Sequence, residues 1–207
     1  MADGPLNYIL PIVVPLLFVG GLFWLAWRDT RQQHSVWSAF AARRDWDFTA
    51  TGKLATVMEI QGLHQGHQVS LLTEHRGSGK SRYDVTVLRV DLGDSVPRRL
   101  ALSPEDRLFN FTNDKQGEAR DAALGLAIQK GLVTTEVRQV LQEPRVRGHL
   151  LELGQHYPRY SIEERLLEAE HRGVPETVEA LEAVIAPALA LVEALDEAAT
   201  GARRSST

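Results

Sequence analysis

The chain has 207 residues, with 23 basic and 27 acidic side chains for a formal net charge of −4, and it contains no cysteine. That length suits one domain with appendages. The absence of thiols excludes disulfides, thiolate metal sites and cysteine nucleophiles, and the acidic balance argues against a nucleic-acid partner.

The first element is apolar. Residues 6–27, LNYILPIVVPLLFVGGLFWLAW, form a 22-residue run without a charged side chain, long enough as a helix to cross a hydrocarbon core of about 30 Å. Pro11, Pro15 and the Gly20-Gly21 pair are tolerated in membrane helices because neighbouring groups re-satisfy the freed backbone. A cleaved signal peptide fits less well. No Lys or Arg precedes the run, it is longer than a usual signal core, and no small-x-small site follows it before Arg28. Tyr8 at one end and Trp24 and Trp27 at the other suit the two interfacial belts, with Arg28 and Arg31 as adjoining anchors. The flank MADGP has no basic residue, whereas Arg28, Arg31, Arg43 and Arg44 follow the run closely. The positive-inside rule therefore predicts the N-terminus outside and the C-terminal bulk in the cytoplasm of a bacterial inner membrane.

Charge is uneven in the remainder. Residues 28–100 carry 11 basic and 8 acidic side chains, a net of +3, whereas residues 101–207 carry 12 and 18, a net of −6. A mildly basic membrane-proximal half suits an anionic inner leaflet.

Val36, Trp37, Phe40 and Ala41 recur at helical spacing, so residues 32–44 read as an amphipathic helix that stops before DWDFTATG. A β-rich stretch follows. Strand-like segments at 56–60, 69–74, 83–92 and 99–102 are separated by LHQGHQ, RGSGKS and a turn at 93–97, which describes an antiparallel meander of three or four strands.

RGSGKSR at 76–82 resembles the end of a phosphate-binding loop. A working loop needs G-x-x-x-x-G-K-[ST] opening a helix, so that successive backbone amides and the helix terminus face the phosphates. Here Glu74 occupies the first glycine position, and the strand-like YDVTVLRV follows Ser81. The segment reads instead as a hairpin connection. Its basic residues Arg76, Lys80 and Arg82 are candidates for contact with anionic lipid head groups. His64 and His67 have ligand-like spacing, but no third or fourth ligand lies nearby, and LHQGHQ reads as a turn centred on Gly66.

Beyond Ser103 the pattern becomes helical, with candidates at 118–130, 134–142 and 146–153. Residues 160–171 are ambiguous. Ser161 and Glu164 offer a capping box, yet YSI and LLEA around EER also suit a hairpin, the reading favoured by the isolating Pro158 and Gly173-Val174-Pro175. The last helix is expected from Pro175 to Ala199, with an apolar stripe through Val178, Leu181, Ile185, Leu189 and Val192 and a kink at Pro187. G-x-S-x-G, H-E-x-x-H and dinucleotide fingerprints are absent from the sequence.

Trp37, Phe40, Ala41, Trp46 and Phe48 just after the apolar run, followed by an I-x-G-x-x-x-G turn at Ile60, Gly62 and Gly66 and then a hairpin, resemble uncharacterised bacterial single-pass membrane proteins that carry a small α+β domain. The resemblance covers about half the chain and implies architecture, with no catalytic residue, metal or cofactor to carry over.

The sequence thus predicts an α+β fold, a transmembrane helix followed by an antiparallel β-meander packed against several helices. Its segments are a short external N-terminus (1–5), the membrane helix (6–27), a juxtamembrane amphipathic helix (28–48), a soluble domain (49–200) and a disordered tail (201–207). The expected role is a non-enzymatic, membrane-anchored interaction module with the bilayer and a protein as partners. The alternatives are an inner-leaflet lipid contact through the 76–82 hairpin and a nucleotide-binding enzyme using Lys80.

Overall fold

Alternating burial along Val57–His64, with Met58 and Ile60 inside and Val57 and Leu63 outside, is the period-2 signature of a half-buried strand. A computed structural model describes residues 28, 30–52, 57–96, 102 and 140–205. Within them, strands β1 (Asp47–Thr51), β2 (Val57–His64), β3 (His67–Arg76), β4 (Tyr83–Asp91), β5 (Arg159–Glu163) and β6 (Leu166–Arg172) form one antiparallel sheet in the order β1-β2-β3-β4-β6-β5. Three helices accompany it: α1 over 30–43, α2 (Pro144–His156) and α3 (Val178–Ser205). The fold is therefore α+β. Among the described residues no helix is long and apolar enough to cross a membrane; the apolar run 6–27, with Tyr8, Trp24 and Trp27, lies outside them.

The register explains which face is covered. Ile60 pairs with Leu71, Leu71 with Leu88, Leu88 with Ala169 and Ala169 with Tyr160, which makes one apolar row across the sheet. That face shares a core with Trp37 and Phe40 of α1, Leu150 and Leu153 of α2, and Leu181, Ile185, Leu189 and Val192 of α3. The opposite face is largely charged. Arg89 bridges Glu74 and Glu168, and Arg76 bridges Glu74 and Glu170.

Several expectations are corrected in detail. DWDFTATG is not a plain break, because Asp47–Thr51 is edge strand β1, paired with β2 from Asp47↔Gln61 to Thr51↔Val57. Edge position tolerates its exposed polar residues, since one side of an edge strand needs no ladder partner in the protein. The sheet extends beyond the expected meander, because 159–172 forms the β5–β6 hairpin, the reading the sequence favours over a helix, and β6 pairs with β4. Glu164 and Arg165 turn it with positive φ of 49° and 73°, so Ser161 lies in a strand and caps no helix.

Pro175 does not begin α3. Its carbonyl accepts a hydrogen bond from buried Trp37 Nε1 at 3.2 Å, and Thr177 Oγ1 accepts the Ala180 amide at 3.1 Å, so the helix starts at Val178. The helix runs through Pro187 to Ser205, past the Ala199 expected as its end. Alanine-rich sequence can propagate a helical ladder beyond the turns that bury apolar surface. Of the helices expected between 118 and 142, only residues 140–142 fall among those described, and they are helical. Of the 99–102 strand only Leu102 is described, in an isolated bridge with Ile162 of β5.

The amphipathic helix after the apolar run is part of the folded unit. Trp37, Phe40 and Ala41 are fully or almost fully buried. Arg44, just past its end, stacks over the Phe40 and Trp46 rings at 5.5 Å and 5.2 Å and bonds Glu182 of α3. A residue that the sequence assigns to the positive flank of a membrane span thus also ties α1 to α3.

Candidate functional site

The β2–β3 connection is a two-residue turn. Gln65 and Gly66 both take positive φ, 51° and 91°, the geometry that matches the right-handed twist of the flanking strands. This tight reversal brings His64 and His67, paired across the turn, to one rim of the sheet. The expected Gly66-centred turn is present, whereas Gly62 is an interior residue of β2.

Two turns of α3 face that rim. His64 Nε2 lies 3.1 Å from Glu193 Oε1, to which the Gln65 amide also donates at 2.9 Å. His67 Nε2 lies 2.8 Å from Asp196 Oδ2, and His67 Nδ1 lies 2.7 Å from the Asp91 backbone carbonyl at the end of β4. The Ser95 hydroxyl, in the 3-10 turn Gly93–Ser95 after β4, donates to the other Asp196 oxygen. Asp91 Oδ1 accepts the Gly93 amide at 2.9 Å, which fixes that turn. Beside it, Arg165 from the β5–β6 turn bonds Asp94 at 2.6 Å. A cavity of about 460 Å³ opens against this cluster, lined by Gln65, His67, Asp91, Asp94, Ser95 and Asp196 among others.

The chemistry follows from His67. Burial lowers its pKa, but the hydrogen bond to Asp196, the hydrogen bond to the Asp91 carbonyl and the two nearby carboxylate charges outweigh burial and hold it above its ordinary 6.5. A carbonyl and an ionised carboxylate can only accept, so an imidazole between them satisfies both only as the doubly donating imidazolium. Ser95 and His67 share Asp196 as acceptor. A serine nucleophile needs the imidazole between hydroxyl and carboxylate, and here the carboxylate stands between the other two. The arrangement suits a charge-assisted clamp between sheet and helix.

The other candidate residues fall elsewhere. RGSGKSR spans the end of β3, a 3-10 turn at Gly79–Ser81 and the residue before β4. A strand follows Ser81 where a phosphate loop needs a helix N-terminus. Arg76 is held by Glu74 at 2.7 Å and Glu170 at 3.2 Å, while Arg82 is exposed; the Lys80 side chain is not among those described. Arg28 and Arg31 are exposed at the start of the described chain. A smaller cavity of about 180 Å³ lies near that point, between Gln33 and His34 of α1 and His75 and Asp84 of the β3–β4 hairpin. Among the described residues no group of three or more His, Asp or Glu is placed to hold a metal ion.

The sequence singles out His64 and His67 only as a metal pair that lacks further ligands, in a segment that reads as a turn, and it assigns no role to Glu193, Asp196, Asp91 or Ser95. The spacing of Glu193 and Asp196, one turn apart in the last helix, was a usable signal for a polar patch on its apolar stretch. Their histidine partners, more than 120 residues away, were not legible locally. Comparison with protein-family models, with curated proteins and with solved structures returned no match to this chain.

Proposed function

We propose that the chain is a single-pass, membrane-anchored accessory module whose α+β domain faces the cytoplasm and acts by engaging a protein partner. The observation that carries this reading is the uncharged 22-residue run at 6–27 followed by Arg28 and Arg31. Exposure of those two arginines at the start of the described chain supports it, because solvent-facing cations directly after the apolar run suit an anionic head-group layer. The domain's contribution is a stiff platform, with α1 and α3 locked to one face of the sheet. Carbonate extraction of membranes from a bacterial host tests the anchor. The full chain is expected to stay in the membrane pellet, and deletion of residues 6–27 is expected to release it; a full chain extracted by carbonate contradicts the reading.

Contact of the 76–82 hairpin with anionic lipid is a second reading, favoured by the exposure of Arg82. Arg76 is already paired with two carboxylates, so Lys80 and Arg82 carry that contact. In vesicle flotation with a fragment beginning at residue 28, neutralising Lys80 and Arg82 together is expected to lower binding to anionic vesicles more than neutralising Arg76. Equal binding by all variants removes this reading.

A further inference from the structure

Both nitrogens of the His67 ring face atoms that accept, the Asp91 carbonyl at 2.7 Å and Asp196 Oδ2 at 2.8 Å, and the two acceptors belong to different elements. The neutral ring has one N–H, so on deprotonation one contact becomes two lone pairs facing each other. The Asp91 contact joins neighbouring strands that the β3–β4 ladder holds anyway, from Val69↔Val90 to Arg76↔Tyr83. The Asp196 contact joins sheet to helix and has no ladder behind it. The weak link is therefore the one to α3.

We propose that His67 and His64, with Asp196 and Glu193, form a proton-controlled latch that holds the C-terminal turns of α3 on the β2–β3 turn and releases them when His67 loses its proton. His67 directly meets the Asp91 carbonyl of β4 and Asp196 of α3; Gln65, Asp94 and Ser95 line the same cavity, and His64 and Glu193 form the second contact of the latch beside it. Arg165 offsets Asp94, which leaves Asp196 as the charge in direct contact with the ring. The sheet end of the latch is rigid, because strand pairing fixes it. The helix end can yield, because past Leu195 the exposed side of α3 takes over, with Thr200 and Gly201 open to solvent and Glu197 tied to α2 only through a solvent-exposed pair with Arg145. Release widens the cavity of about 460 Å³ that already opens between these elements.

The direction is set by the geometry. The protonated ring makes both contacts, so the latch is closed at lower pH and opens as pH rises through the His67 titration. The test is hydrogen exchange of the full-length chain, read by mass spectrometry across residues 193–201 and corrected for the intrinsic pH dependence of exchange. Protection there is expected to be lost as pH rises above the ordinary histidine range, while β3 and β4 keep theirs. Asp196→Asn is expected to remove that pH dependence. In the wild-type chain, which needs no variant to fold, the His67 ring resonances are expected to titrate above 6.5, the ordinary value. Protection that does not change with pH, an Asp196→Asn profile that still follows pH, or a His67 titration at or below the ordinary value each overturns the latch.

Discussion

Gly62 and Trp46 show how one residue choice shapes the fold. A Cβ built on Gly62 would stand 2.1 Å from Trp46 Cδ1 and Cγ, inside any permissible contact, so the indole occupies the space a side chain would need. The ring is held there by Nε1 donating to the Leu63 carbonyl at 3.1 Å and by an edge contact with Phe40 at 6.0 Å between centroids. Gly62→Ala is expected to destabilise the domain by about 1–3 kcal/mol in denaturant unfolding, the usual cost of overpacking. In a Trp46→Ala background the same substitution is expected to cost much less, because the clashing ring is gone, and the double-mutant cycle reads that coupling. Tyr157 poses a polar counterpart. Its buried hydroxyl donates to the Val184 carbonyl in α3, and burial pushes the phenol's pKa well up. Tyr157→Phe is expected to cost about 1 kcal/mol by the same measurement, the net worth of one hydrogen bond.

At the scale of elements, local chemistry accounts for what could be read from sequence. Gln65-Gly66 and the glycines of RGSGKS adopt positive φ between strands that were legible from alternation, so both hairpins followed from turn residues and period. The phosphate-loop resemblance failed for the same local reason, a strand where a helix was required. β1 was not legible, because DFTAT has a single large apolar residue, Phe48, and its exposed burial pattern belongs to an edge. The start of α3 was misplaced because Pro175 suits a first helical turn, and the competing demand came from Trp37, 138 positions away in sequence. Thr177→Ala is expected to lower stability by about 1 kcal/mol, the typical worth of an N-cap side chain. Pro175→Ala, by contrast, keeps the carbonyl that Trp37 uses and should leave that contact intact; a larger effect than that of Thr177→Ala would place the helix start nearer Pro175.

For the whole molecule, two histidines set opposite pH limits. His67 has a raised folded pKa, so its stabilisation is complete below 6.5, its unfolded value, and is lost as pH rises through the folded value. His171, on the core-facing side of β6, is lowered by burial and then by the charge of His156. Unfolding lets it take up a proton more readily, so its effect is to reduce stability as pH falls below 6.5. Stability is therefore expected to peak near the ordinary histidine range. Asp196→Asn should flatten the alkaline side of the profile and His171→Phe the acidic side. Neither limb was legible in the sequence, because each depends on partners brought together by the sheet and α3.

The proposed topology, an anchored chain with its domain in the cytoplasm, can be read by fusing two reporters after Thr207 in a bacterial host, one active only in the cytoplasm and one only outside it. The expected result is activity of the cytoplasmic reporter, recovered with the membrane fraction. Activity of the external reporter alone would contradict it, placing the domain on the far side of the membrane and removing inner-leaflet lipid and cytoplasmic partners together.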